Sequence, residues 1–278
     1  PTYPSLPVIT ALAISPDGKW IAASGYHEVL VFGTADFQPK GRWVGESTRI
    51  ESLAFSPDSS HIAYAEAAPT NGGNTADIQI QNLASGRRVQ ATSGKYNNYA
   101  PAFAHDGAWL YFISDRNFAP EPGGPWGDRN MGVAFSDRGE IYALQLDPAA
   151  GFRMRKDNEL TRSAADDKPE GAAESTSEGT AAKDKAEDKK TKPAPAKPSI
   201  VLDGVAGRLY KLPVKPGVEG QLLANEKFLY TRRGDDMVSI AIDKKDPREE
   251  VFAPGARGME LSADRQTALV LSGPPNKP

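Results

Sequence analysis

Four times along the chain, a strand-like apolar run ends in a short polar corner and is answered by a second apolar run. Ala13-Ile14-Ser15-Pro16-Asp17-Gly18-Lys19-Trp20-Ile21-Ala22 recurs as Ala54-Phe55-Ser56-Pro57-Asp58-Ser59-Ser60-His61-Ile62-Ala63. It recurs again as Ala102-Phe103-Ala104-His105-Asp106-Gly107-Ala108-Trp109-Leu110-Tyr111, and as Glu260-Leu261-Ser262-Ala263-Asp264-Arg265-Gln266-Thr267-Ala268-Leu269. The corner chemistry is that of a hairpin: Pro presets one backbone angle, Asp bonds the backbone ahead of it, and Gly accepts a positive φ. Two of the four copies lack Gly after Asp, so a pattern repeats and not a fixed string. Asp17, Asp58 and Asp106 stand 41 and 48 residues apart, a period of roughly 40–50 residues that suits a four-stranded propeller blade.

A hairpin of this kind cannot bury both of its faces alone, so each unit must stack on its neighbours. The expected fold is therefore all-β: a β-propeller of four-stranded antiparallel blades, about four to five of them in this chain. Val8 to Ser15, Trp20 to Gly25, Glu28 to Phe32 and Gly41 to Val44 read as blade one. Blade two takes Ile50 to Ser56, His61 to Glu66, Asp77 to Leu83 and Arg87 to Thr92. Blade three begins with Tyr99 to Phe103, Trp109 to Ser114 and Glu140 to Leu146, interrupted by a Pro/Gly-rich excursion from Ala119 to Arg138. Consecutive apolar residues replace strict alternation in these runs, as expected for strands covered on both faces.

From Ser163 to Ser199 the chain holds no Val, Ile, Leu, Met, Phe, Trp or Tyr. Eight basic and eight acidic side chains between Arg162 and Lys197 make it a balanced polyampholyte with nothing to bury, and a disordered insertion is expected. Such an insertion between two strands costs little, because closure entropy grows only logarithmically with length. The organisation read from the chain is thus blades one to three over residues 1–162, the insertion over 163–199 and the remaining blades over 200–278. After the insertion, Ser199 to Leu202 is expected as the delayed outer strand of blade three, with Arg208 to Pro213 a connection or further strand. Gln221 to Ala224, Lys227 to Arg232, Met237 to Ile242 and Glu249 to Ala253 form a fourth blade; Met259 to Ser262 and Thr267 to Ser272 begin a fifth. Closure would need further strands, Tyr3 to Leu6 being one candidate, so an open arc, a part of a larger protein and self-association through open edge strands are all expectations.

Length and charge narrow the function classes. With 278 residues, 39% of them hydrophobic, a sizeable core is within reach. A net charge of −3 with both signs interspersed carries no basic stripe for nucleic acid and no pull toward anionic membrane. No run approaches the ~18 apolar residues of a membrane helix. With no cysteine, thiolate chemistry is excluded.

Three histidines, His27, His61 and His105, each lie in or beside a hairpin corner, exposed or capping, with no serine elbow and no metal-ligand spacing. No catalytic residue, metal or cofactor is expected. Binding chemistry remains. Asp115 and Arg116 end a strand, and are read either as an ion pair pinning it to the next blade or as a guanidinium that grips a peptide carboxylate. Tyr96, Asn98 and Tyr99 line the rim or pack between blades. Trp126 and Arg129 in the long loop are anchors for a partner, or fold the loop onto the disc.

Four blocks carry a resemblance. YNNYAPAFAHDGAWLYFISDRNF, PWGDRNMGVAFSDRGEIYALQL, the Lys/Glu-rich insertion and IVLDGVAGRLYKLPVKPGVEGQLLANEKFLY follow one another in the order found in the amino-terminal β-propeller of bacterial tricorn-like serine peptidases, over about Ile50 to Leu271. Blade one, VITALAISPDGKWIAASGYHEVLVF, is closer to WD40 repeats, as in a natural hybrid or an engineered join. The resemblance implies a non-catalytic module that binds or gates polypeptide for a peptidase domain downstream. It also implies a bacterial origin on either side of the inner membrane, the outer side favoured. The other class is a free-standing or engineered WD40-like scaffold for protein partners.

Overall fold

The computed structural model describes residues 9–25, 27–44, 50–67, 75–120, 135–154, 199–242 and 247–272. Among these there are eighteen strands, no α-helix and a single 3-10 turn at Val205–Gly207. Blade one is β1 (Ala11–Ile14), β2 (Trp20–Ser24), β3 (Glu28–Gly33) and β4 (Pro39–Val44), antiparallel and in chain order. Blade two follows the same plan with β5 (Ile50–Phe55), β6 (His61–Ala67), β7 (Ala76–Asn82) and β8 (Arg88–Gln90). Blade three pairs β9 (Asn98–Phe103), β10 (Trp109–Asp115), β11 (Gly139–Gln145) and β12 (Leu209–Lys211). Blade four is β13 (Glu219–Ala224), β14 (Phe228–Arg233), β15 (Asp236–Ala241) and β16 (Glu249–Ala253). A fifth sheet has two strands, β17 (Ala256–Leu261) and β18 (Ala268–Ser272). The fold is a β-propeller, with four complete blades and one half blade among the described residues.

The first strands pack in series, β1 on β5, β5 on β9, β9 on β13 and β13 on β17. They therefore line the centre, and the later strands of each blade lie outward. The core is four apolar layers, one between each pair of sheets. The sharpest alternation is in β10, buried along Trp109–Ser114. Leu110 and Phe112 join the layer shared with blade two, while Trp109, Tyr111 and Ile113 join the layer shared with blade four. A strand sandwiched in this way needs an apolar residue at every position, which is why its sequence does not alternate.

The Asp corners fall at equivalent places, each between the first and second strands. Asp17 Oδ1 accepts the Ser15 hydroxyl at 2.6 Å and the Lys19 N–H at 3.1 Å, and the Trp20 N–H donates to Ser15 Oγ at 2.9 Å. Asp58 takes the Ser56 hydroxyl at 2.5 Å and the Ser60 N–H at 3.1 Å. Asp264 takes the Ser262 hydroxyl at 2.5 Å and the Gln266 N–H at 3.1 Å. In blade three Ala104 replaces the serine, and Asp106 keeps only the bond from the Ala108 N–H, at 2.9 Å. The residue after each Asp has a left-handed backbone: Gly18, Ser59, Gly107 and Arg265, with φ of 68°, 58°, 75° and 57°. Blade four turns by a shorter device, in which Asn225 Oδ1 accepts the N–H groups of Lys227 and Phe228 at 2.9 and 2.7 Å. A second feature recurs in the first strands themselves. Ser52, Ala100 and Gly220 take positive φ where β5, β9 and β13 each slip register, a bulge that bends the strand at one level of the wheel.

The outer strand of blade three differs from expectation. Ser199 to Leu202 is not a strand: only the Val201 N–H reaches the sheet, bonding Leu146 O at 3.0 Å, and the Ile200 and Leu202 side chains cover the layer between blades two and three. Gly204, at φ 67°, turns the chain into the 3-10 turn. Arg208 then clamps the return, its Nε on Gln145 O at 2.9 Å and its Nη1 on Asp203 O at 2.9 Å. The strand that pairs with β11 is β12, from Leu209 to Lys211. Tyr3 to Leu6, most of the polyampholyte stretch, Trp126 and Arg129 lie outside the described residues.

Candidate functional site

The candidate residues of blade three gather at the end of the sheet opposite its Asp corner. Register places Ser114 of β10 between Asn98 of β9 and Glu140 of β11, with Asp115 facing Gly139. Asn98 is fully buried. Its Nδ2 donates to Ala76 O of blade two at 3.0 Å and to Tyr96 O at 2.9 Å, and its Oδ1 accepts the Ser114 hydroxyl at 2.8 Å. Asn98 is thus a joint between two blades, with its hydrogen-bonding capacity spent inside the protein.

Arg116 lies on this platform. Its Nε donates to Ser114 Oγ at 2.8 Å and its Nη2 reaches Asn98 Oδ1 at 3.4 Å. The guanidinium carbon sits 4.7 Å from the ring centre of Tyr96 and 4.6 Å from that of Tyr142, between two aromatic faces. Each such contact is worth about 0.5–1 kcal/mol at a partly exposed site. Tyr142 donates its hydroxyl to Glu140 Oε2 at 3.0 Å, and Glu140 Oε1 also accepts Lys211 Nζ at 2.6 Å. Burial, with the Glu140 carboxylate beside it, pushes the Tyr142 phenol up to about 12, so it stays a neutral donor under ordinary conditions.

Asp115 and Arg116 are not an ion pair. Asp115 turns to the other side of the strand, where Asn97 Nδ2 donates to its Oδ2 at 3.1 Å. Tyr99 stands next to it and packs into both flanking apolar layers; burial first, then the Asp115 carboxylate, raise its phenol above the usual range. Neighbouring residues on a strand point to opposite faces, so the charge pair suggested by adjacency in sequence is separated by the pleat. Arg116 is left half-buried, with no carboxylate bonded to it among the described residues.

Beside the guanidinium an aromatic run leads outward. The Tyr96 and Phe118 rings lie 6.2 Å apart and the Phe118 and Phe135 rings 6.4 Å apart, both phenylalanines exposed, with Arg138 5.6 Å over Phe118. The arrangement offers a fixed cation next to apolar rings, suited to a chain with both apolar and acidic groups. Of the expected residues, the structure brings together Tyr96, Asn98 and Arg116 and sets Tyr99 and Asp115 apart on the other face. Tyr142, Glu140, Phe135 and Arg138 were not singled out from the sequence. The signal was the antiparallel pairing of Ser114 with Glu140, which lays the beginning of β11 beside Arg116.

His61 is buried rather than exposed. Asn82 Oδ1 accepts the N–H groups of Ala84 and Ser85, so its Nδ2 faces His61 Nε2, at 3.1 Å, and the proton of the neutral ring sits on Nδ1. Nδ1 donates to Ser60 Oγ at 2.7 Å, and Ser60 donates its own proton to Asp58 at 2.6 Å. A nucleophilic serine would have to donate to the histidine, so the polarity of this chain is the reverse of a catalytic triad. Among the described residues, no group of three acidic or histidine side chains is placed to hold a metal ion, and no helix is long and apolar enough to cross a membrane.

No protein-family model matches the chain. The Tricorn protease homolog 1 of Streptomyces coelicolor is 30% identical over 141 residues, 49% of this chain and 12% of that protein. A crystal structure of the tricorn protease superposes on 94% of this chain with a TM-score of 0.67 at 18% identity, the match covering 24% of that chain. The chain therefore spans about an eighth of the curated relative and about a quarter of the solved one. It is a β-propeller similar to tricorn proteases in sequence over half of its length and in fold over nearly all of it.

Proposed function

We propose that this chain is the non-catalytic β-propeller module of a tricorn-like peptidase, binding or gating polypeptide for a peptidase domain that lies outside it. The observation that carries this reading is the likeness to a tricorn protease homolog over 141 residues. The Arg116 platform supplies the chemistry: a cation held between Tyr96 and Tyr142, flanked by exposed Phe118 and Phe135. Unfolded chains present apolar and aromatic side chains that folded ones bury, and such side chains match the exposed rings beside Arg116.

The test is fluorescence anisotropy of a labelled, unstructured, C-amidated neutral peptide rich in Phe and Gln, titrated with the full chain, alongside a hydrolysis assay on the same peptide. Binding without cleavage, weakened in Arg116→Met and in Phe118→Ser, is the expected result. Cleavage by the purified chain, or no binding, refutes the reading. A WD40-like interaction scaffold is favoured by the complete Ser-Pro-Asp-Gly corner of blade one; selective capture of one folded protein, with no affinity for unstructured peptide, would support it.

A further inference from the structure

Arg265 stands where the other Asp corners carry Gly18, Ser59 and Gly107. A long side chain in the left-handed region is uncommon and costs strain, and such exceptions gather at functional positions. The corner directs the side chain out of its own sheet. Nη1 donates to Phe103 O at 2.7 Å and, at a longer 3.4 Å, to Ala224 O. These are the last residues of β9 and β13, so a residue of the fifth sheet reaches across the ends of the central strands of blades three and four.

Only one edge of the guanidinium is used. A guanidinium has five N–H donors, and the two carbonyls occupy Nη1 alone. Nε and Nη2, whose parallel N–H bonds form the side-on fork that matches a planar oxyanion, have no partner among the described residues. The fully buried polar side-chain atoms without a partner are Gln81 Oε1 and Thr231 Oγ1, so neither nitrogen of the Arg265 fork is sealed inside the protein. Burial alone pulls on the Arg265 charge, with no neighbouring carboxylate acting against it. A half-hidden cation with no counterion is a costly arrangement that a bound anion relieves.

We propose that Arg265 is a carboxylate-binding residue at the corner-bearing end of the central strands, its Nε/Nη2 edge taking a carboxylate of a bound polypeptide while Nη1 stays clamped to Phe103 and Ala224. The choice of polypeptide rests on the proposed function; the site is separate, since Arg116 lies at the opposite end of β9 and β10. The carboxylate is either the C-terminus or an acidic side chain.

Three labelled octapeptides of neutral residues separate the cases: one with a free C-terminus, one C-amidated with a single Glu, and one C-amidated without Glu. Full-length chain is titrated into each and anisotropy recorded. The first, the second or both bind about tenfold more tightly than the third, the increment of a charge-assisted bond, and whichever gains identifies the source. Arg265→Ala and Arg265→Lys each abolish that increment and leave the third peptide unchanged; an increment lost in Arg116→Met but kept in Arg265→Lys would place the carboxylate at Arg116 and overturn the proposal. Lysine keeps the charge and reaches a carbonyl, so it guards against an alanine variant that fails to fold. Equal binding of all three peptides by the wild type, or an increment that survives Arg265→Lys, overturns the proposal. Loss of binding to the third peptide alone would instead bear on the proposed function.

Discussion

Gly139 is where blades three and four touch backbone to backbone, and Gly139→Ala tests that joint. A Cβ built there lies 1.9 Å from Val218 O, 3.1 Å from Val218 C and 3.4 Å from Ile113 Cγ2. Reaching even 3.0 Å requires the Val218 carbonyl to retreat by about 1.1 Å, and that peptide is held in place by Gly139 itself. The Gly217 and Val218 N–H groups both donate to Gly139 O, at 2.8 and 3.3 Å. Losing both bonds costs about 1–3 kcal/mol, and the overpacking about 1–3 kcal/mol more. The sum, about 2–6 kcal/mol, lowers the thermal midpoint by about 4–24 °C for a chain of this size. The measurement is a circular dichroism melt near 218 nm, with Gly151→Ala as control, since nothing lies within 4 Å of a Cβ at that position. Because Gly139 faces Asp115 across the ladder, the same variant should weaken peptide binding at Arg116. A melt within 1 °C of wild type would show that the close approach is not what fixes the two blades together.

Asn98→Ala removes a buried amide bonded to Ala76 O, Tyr96 O and the Ser114 hydroxyl, and a loss of about 2–4 kcal/mol is expected in urea unfolding; a change below about 0.5 kcal/mol would refute its role as joint. His61 is held neutral, its titration lowered by burial. The folded state therefore binds fewer protons than the unfolded one, and stability present above pH 6.5 falls as the pH drops below it. Urea midpoints at pH 7.5 and 5.5 read this slope, and His61→Gln should reduce it; an identical slope in the variant counts against the assignment. Burial raises the Tyr64, Tyr99, Tyr111 and Tyr142 phenols, so spectrophotometric titration at 295 nm should show a late-ionising group of tyrosines, and Tyr142→Phe should remove the step near pH 12 while the later ionisations stay.

The Asp corners were legible because their determinants are local: an acceptor, a serine and a φ-tolerant residue within five positions, so Ser15 to Lys19 carries its own geometry. The bounds of β16, Glu249–Ala253, follow from its run in the same way. Strand β12 was legible as a further strand within Arg208 to Pro213, but its place at the outer edge of blade three was not, since its partner β11 ends at Gln145 and Leu209 pairs with Leu144 across a long intervening stretch. The apolar Ile200 and Leu202 suggested a strand nearer by, but their task is to seal a layer. The site was half legible. Arg116 stood out as a charge at a strand end, whereas its second aromatic face, Tyr142, belongs to a strand whose approach depends on register. Pleat, not proximity in sequence, decided that Asp115 would face away.

The third paddle of this wheel is assembled from two separate runs of chain. Three of its ribbons are in place by Gln145; the last, Leu209–Lys211, is brought back by a clasp in which Arg208 seizes the backbone of the departing run at Gln145 O. The closing ribbon is therefore held by contacts of its own return, at Val201, Arg208 and Leu209–Lys211, and not by running on directly from Gln145. A paddle made in this way can be finished by chain that arrives late, so long as the clasp that receives it is intact.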